Sequence, residues 1–184
     1  MFLFDIQDSI FLGIRYSKFD IEKLTLREDV SLTKSMKEKG RKNKVVVVGG
    51  AGFIGSHLTD ALVGRGFEVH VIDNLSGGKK ENVNPKAVFH KVDIRDPSAL
   101  KPIIKGAQCV FHLAALPRVP YSIEHPVETN EVNVGGTLNV LIAAEEGGAK
   151  RIIYSASSSA YGEQKKLPLV ETMSPNPKSP YGLQ

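Results

Sequence analysis

Val45-Val46-Val47-Val48-Gly49-Gly50-Ala51-Gly52-Phe53-Ile54-Gly55-Ser56-His57-Leu58 is a β-branched run that breaks into glycines and then into helical spacing. Four consecutive valines suit a strand buried on both faces, and Ile54, Leu58, Ala61 and Leu62 put apolar side chains on one side of a following helix. The glycines are then a strand-to-helix turn. Such a turn calls for residues without a Cβ, because the backbone must reverse tightly, approach a pyrophosphate closely and let the helix pack on the strand. The first helical turn would aim its unpaired N–H groups and positive dipole end at those phosphates. The glycines read as Gly50-x-Gly52-x-x-Gly55 or as Gly49-x-x-Gly52-x-x-Gly55, and the strand before and helix after supply the context that a dinucleotide site requires. A purely structural turn is the competing reading.

A second strand, Phe67 to Ile72, ends on Asp73, 18 residues past Gly55, where a dinucleotide fold places an acid that accepts hydrogen bonds from ribose hydroxyls. A carboxylate there favours NAD, since it would repel the 2′-phosphate of NADP. No arginine is present in Asn74-Leu75-Ser76-Gly77-Gly78, although Lys79 and Lys80 come next. The plainer alternative for Asp73 is a turn-forming residue ahead of Asn74.

Further out, the chain has 184 residues, enough for one well-buried domain and short for two. Its 41% hydrophobic and 24% charged content is ordinary for a globular protein, and no segment approaches the roughly 18 uncharged apolar residues of a membrane span. A cytoplasmic protein is expected. The single cysteine, Cys109, lies in an apolar run and reads as a small buried hydrophobe. The five histidines, His57, His70, His90, His112 and His125, show no metal-ligand spacing, so no metal site is expected. The formal charge of +4 is spread evenly: nine Lys/Arg against seven Asp/Glu before Lys44, fifteen against thirteen from there on. The basic cluster Lys37–Lys44 has no interleaved aromatic residue and reads as a solvated linker, not a nucleic-acid patch.

Residues 1–43 differ in character from the rest of the chain. They are polar and weakly patterned after Met1-Phe2-Leu3-Phe4, and Asp5 and Asp8 interrupt that apolar start before a signal peptide could form. They read as a poorly ordered N-terminal extension or an over-extended start, with Met36 a natural first residue. Residues 44–184 read as the nucleotide-binding domain. Strands are expected at Val45–Val48, Phe67–Ile72, Ala87–Val92, Ala107–Leu113 and Arg151–Tyr154. A long helix is expected from Pro126 to Glu146, with Val134, Leu138, Leu141 and Ile142 at helical spacing. Strands alternating with helices imply an α/β, Rossmann-type, doubly wound parallel sheet, whose ligands bind at the carboxyl ends of the strands. Gly49–Gly55, Asp73, Asp93, Ala114-Ala115 and Ser155–Ser159 all fall at those ends.

Seven ordered motifs now carry a resemblance. They are Gly49–Leu58, Asp73-Asn74-Leu75, Asp93-Ile94-Arg95-Asp96, His112-Leu113-Ala114-Ala115, Asn133-Val134-Gly135-Gly136-Thr137, Ser155–Gly162 and Ser179-Pro180-Tyr181-Gly182. Together they resemble the extended short-chain dehydrogenase/reductases, in particular the NAD-dependent nucleotide-sugar epimerases and dehydratases. The resemblance implies NAD as cofactor, with Gly49, Gly52, Phe53, Ile54 and Gly55 at the pyrophosphate, Asp73 and Asn74 at the adenosine ribose, and Asp93 and Ile94 at the adenine. Leu113 and Ala114 would line the nicotinamide side, and Asn133 would support the cleft. A helix polar residue bonded to a neighbouring loop is the other reading of Asn133.

Ser157 and Tyr181 match the family's catalytic pair. The tyrosine, as phenolate, would take a proton from a sugar hydroxyl while hydride moves to the nicotinamide, and the serine would bond the same oxygen. Return of the hydride to the other face of the ketone inverts the carbon. Family dehydratases carry an acidic pair directly after the serine position, where this chain has Ser158 and Ser159, so 4-epimerisation of UDP-glucose/UDP-galactose or their N-acetyl forms is expected ahead of dehydration. A reductase or dehydratase on the same scaffold, and a non-catalytic NAD-binding module, are the alternatives. The resemblance also implies a UDP-hexose partner, a full-length homodimer, a lysine one position past Gln184 and a C-terminal substrate domain. Lacking those last two, the fragment is expected to be inactive alone. Loop Leu116–Ile123 is expected to border the sugar.

Overall fold

β3 (Lys44–Val48) runs through the middle of the sheet, and its valines divide by parity: Val45 and Val47 enter one core, Val46 and Val48 the other. A strand covered on both faces needs apolar residues at every position, which is why the run does not alternate. The computed structural model describes residues 43–184 and the backbone of two N-terminal strands, β1 (Phe2–Asp5) and β2 (Phe11–Gly13). The remaining strands are β4 (Glu68–Asp73), β5 (Val88–Lys91), β6 (Cys109–His112) and β7 (Arg151–Tyr154). Their order is β2-β1-β7-β6-β3-β4-β5. β3 to β7 are all parallel, with the strand order reversing between β3 and β6, and a ligand crevice forms outside the carboxyl ends at such a switch point.

The two faces are covered differently. α1 (Phe53–Gly64) lies over Val45, Val47, Val69 and Val71 through Leu62. The opposite face is closed by α2 (Pro97–Ile104), through Leu100 and Ile104, and by α5 (Thr137–Glu146), through Val140, Ala143 and Ala144. Each fully buried Val, Leu or Ile contributes about 1.5–3 kcal/mol. α2 starts where its sequence directs: the Asp96 carboxylate accepts from the backbone N–H of Ser98 (3.0 Å) and Ala99 (3.1 Å), and Pro97 opens the first turn.

Three expectations are revised. The helix from Pro126 to Glu146 is interrupted: α4 (Pro126–Asn130) passes through a π turn, Glu131–Gly136, before α5 begins. Val134, Leu138, Leu141 and Ile142 face outward, Leu138 being 54% exposed, because the close sheet contact is made by the smaller Val140, Ala143 and Ala144. Within Leu116–Ile123, expected as loop, Pro120 opens a helix, α3 (Val119–Glu124). β1 pairs antiparallel with the outer edge of β7, Phe2 opposite Tyr154 and Asp5 opposite Arg151, so part of the N-terminal extension joins the sheet. Met36 and Lys37–Lys42 lie outside the described residues. Among the described residues, no helix is long and apolar enough to cross a membrane.

Candidate active site

The cradle is assembled from the end of β3. Gly49 takes a left-handed φ of +86° and donates its N–H to the Ile72 carbonyl at 2.7 Å; a Cβ here would lie 2.6 Å from the Ala114 nitrogen. Glycine thus lets the segment after β6 pass directly beside the turn. A Cβ on Gly55 would strike the Gly49 carbonyl, so this glycine seats α1 against the turn. The N-cap of α1 is Gly52, with no side chain capping it and no acid in the first turn. Its N–H groups and positive dipole end are left to an anion. Phe53, 80% exposed, and Ile54 flank that opening. These features fit a dinucleotide pyrophosphate, although no ligand is needed to hold the turn's shape.

Asp73 ties the cradle to the neighbouring loop. Its Oδ2 accepts from the Ala51 N–H (3.0 Å) and its Oδ1 from the Leu75 N–H (2.8 Å), with Leu75 held at φ +65°. Asp73 therefore makes the local turn at the end of β4 and ties it to the glycine turn. Asn74 donates from Nδ2 to Asp93 Oδ2 at 3.0 Å. Asp93 also accepts from Arg95, from the backbone N–H and Nε at Oδ1 and from a guanidinium NH2 at Oδ2 (2.8 Å), and these bonds hold its carboxyl well below the usual range. An adenine would thus meet a carboxylate already engaged. Ile94 is buried beneath Gly136.

On the other side of the switch point, Leu113 N–H donates to the Val48 carbonyl at 2.8 Å, which carries Leu113 and Ala114 past the cradle. His112, fully buried, bonds through Nε2 to Thr137 Oγ1 at 2.8 Å, while its Nδ1 has no partner; burial pulls its pKa down to about 4. Asn133, in the π turn, exchanges two bonds with Leu116: its Oδ1 accepts from the N–H (2.8 Å) and its Nδ2 donates to the carbonyl (3.2 Å). Nδ2 also reaches Gln184 Oε1 at 3.0 Å. Asn133 is thus a helix residue bonded to a loop, and that loop leads away from Leu113 and Ala114.

Ser157 Oγ accepts the Ser159 N–H (3.1 Å) and caps the 3-10 turn Ser158–Tyr161, which has no acid in its first turn. Tyr181 lies in α6 (Pro180–Leu183), where Ser179 Oγ accepts the Gly182 N–H at 3.1 Å. A Cβ on Gly182 would be 2.7 Å from the Ser159 carbonyl oxygen, so this glycine brings the tyrosine's helix against the serine's turn. Tyr154, at the end of β7, is a neighbour that sequence reasoning passed over: its phenol is pushed up by burial and then by Tyr181, and its ring centroid lies 5.5 Å from that of His112. Ser122, also passed over, accepts the Tyr181 backbone N–H at 3.1 Å. Its only sequence signal was a place two residues after Pro120. Among the described residues, no three metal-ligating side chains converge.

Residues 45–184 match the NAD dependent epimerase/dehydratase family. The UDP-glucose 4-epimerase of Lactobacillus helveticus is 40% identical over 141 residues, covering 76% of this chain and 43% of that protein. The crystal structure of UDP-glucose 4-epimerase from Thermotoga maritima with UDP-glucose is 42% identical with a TM-score of 0.73, covering 76% of this chain and 47% of that one. The Thermus thermophilus UDP-glucose 4-epimerase in complex with NAD is also 42% identical, with a TM-score of 0.71, covering 76% and 46%. The chain spans less than half the length of these relatives. From its cradle to the turn that bears Tyr181, it belongs to the NAD-dependent epimerase/dehydratase family.

Proposed function

We propose that residues 44–184 form the NAD-binding and proton-transferring half of a nucleotide-sugar 4-epimerase acting on UDP-glucose and UDP-galactose or their N-acetyl forms. The observation that carries this reading is the packing of the Tyr181 helix on a Ser157-capped turn that contains no carboxylate, in a fold whose α1 N-terminus is left uncapped. NAD, when bound, supplies a hydride acceptor that returns the hydride to either face of the sugar ketone. In this reading the Tyr181 phenolate takes the sugar hydroxyl proton and gives it back, and the Ser157 hydroxyl bonds the same oxygen. Elimination of water would need an acid and a base beside the sugar. Ser158 and Ser159 offer no carboxyl group to serve as that acid or base at neutral pH, which favours epimerisation.

Fluorescence titration with NADH is expected to give saturable binding by the 184-residue polypeptide, with NADPH at least tenfold weaker because of Asp73. Since the chain spans less than half the length of the three relatives described above, binding without turnover is expected of it alone. A chimera joining residues 44–184 to the remainder of the Thermotoga maritima enzyme is expected to convert UDP-galactose to UDP-glucose with no net NADH. Accumulation of NADH or of a stable keto-sugar would overturn the reading in favour of a reductase or dehydratase. A homodimer belongs to the same proposal, supported by the outward apolar residues Val134, Leu138 and Leu141. Sedimentation of the chimera at monomer mass would remove it.

A further inference from the structure

Polar side chains that are buried need partners, and where those partners lie shows what the burial is for. Among the described residues, Ser122 and Thr129 are fully buried and Asn133 nearly so. All three reach α6. Asn133 and Thr129 hold the Gln184 amide from its two ends, Asn133 Nδ2 donating to Oε1 and Gln184 Nε2 donating to Thr129 Oγ1, each at 3.0 Å. Ser122 acts on the tyrosine's own backbone. Its hydroxyl donates to the Val119 carbonyl one turn back at 2.7 Å, and this fixes the rotor so that a lone pair meets the Tyr181 N–H at 3.1 Å.

The first N–H groups of a helix have no partner inside it. In α6, Pro180 has none to offer, Gly182 donates to Ser179, and Tyr181 is left to Ser122. We propose that Ser122 is a positioning residue for Tyr181: its buried hydroxyl fixes the Tyr181 backbone, and through it the phenol, relative to the nicotinamide side of the cleft. This rests on Tyr181 being the proton-transferring group. A backbone clamp suits that role, because the phenol itself must stay free to exchange a proton. Loss of the hydroxyl leaves a half-buried N–H without its acceptor, so α6 must shift to find water or another partner.

The test uses the 184-residue polypeptide labelled at the tyrosine ring carbon that bears the hydroxyl, with the Tyr181 resonance identified by its loss in Tyr181→Phe. In Ser122→Ala, the Tyr181 amide is expected to exchange with solvent at least tenfold faster, while core amides such as Val46 and Val110 keep their rates. On addition of NAD, the change of the Tyr181 ring resonance is expected to fall to less than half that of the parent chain, with NAD affinity within twofold. Ser122→Thr, which keeps the hydroxyl, is expected to restore both. An unchanged Tyr181 amide, faster exchange throughout the core, or a faster amide with the full NAD-induced ring change would each overturn the proposal. If NAD moves none of the Gly49–Gly55 amides of the parent chain, it is the functional reading that fails, and the exchange rates alone then decide whether Ser122 clamps Tyr181.

Discussion

Gly49 satisfies two demands at one residue. Its φ of +86° disfavours any side chain, and the Ala114 nitrogen occupies the space that a Cβ would need. Gly66 has nearly the same φ, +85°, with open space around it, and so separates the two effects. Gly66→Ala is expected to cost about 1–2 kcal/mol from backbone conformation alone. Gly49→Ala should cost more, and NADH binding should go with it, because the Leu113–Ala114 segment has to move. Urea unfolding of the two variants checks this, and equal losses would mean that the close approach to Ala114 is unimportant. Cys109 gives a second residue-scale expectation. Burial pushes its thiol up to about 12, so little thiolate exists at neutral pH. Reaction with a disulfide reagent is expected to be slow in the native chain and at least a hundredfold faster in denaturant.

At the scale of elements, α1 has a good reason to be capped and is not. An acid in its first turn would ordinarily stabilise it by about 0.3–1 kcal/mol. Ile54→Glu, at a surface position in that turn, should therefore leave thermal stability unchanged or slightly raised. The same charge would oppose a pyrophosphate, so NADH affinity should fall at least tenfold. Opposite signs in the two measurements are the signature of a helix end kept bare for an anion; parallel losses would point to simple damage. The π turn at Glu131–Gly136 is the other element whose irregularity serves the site, since it carries Asn133, which bonds both Leu116 and Gln184. Asn133→Ala is expected to speed exchange of the Leu116 amide at least tenfold while α1, on the other face of the sheet, keeps its protection.

For the molecule as a whole, acid stability should be governed first by His112. Its folded pKa, about 4, lies below its ordinary value of 6.5, so it folds neutral and the unfolded chain binds the proton more readily. The stability linked to it is complete above about pH 6.5 and is lost as pH falls from there towards 4, by about 3 kcal/mol in all. Asp93 is shifted down in the folded chain, so its contribution is present above the ordinary carboxylate value and is lost only below 3.8, in a separate and lower window. His90, lowered first by burial and then by His70 and Lys44, acts in the same direction as His112. Urea midpoints at pH 7 and 4.5 should differ less in His112→Asn than in the parent chain. Much of this architecture was legible in the sequence. The strand of valines, the glycine turn, α1 and Asp73 follow from backbone sterics and hydrophobic period within some thirty residues, and such local causes are written where they act. On α5 the apolar spacing marks a helix but not its buried stripe: the larger apolar residues lie on the outward face, because which stripe is buried depends on how closely the sheet approaches. The clamp on Tyr181 was not legible at all: Ser122 meets it across 59 positions, and Asn133 meets Gln184 across 51. No period encodes such a meeting, since it depends on the paths of several loops at once. The sequence by itself determined the valine strand, the glycine turn and the helix that follows it; only the tertiary structure decided what holds the Tyr181 backbone, because that is a matter of hydrogen bonds between groups that become neighbours only after folding.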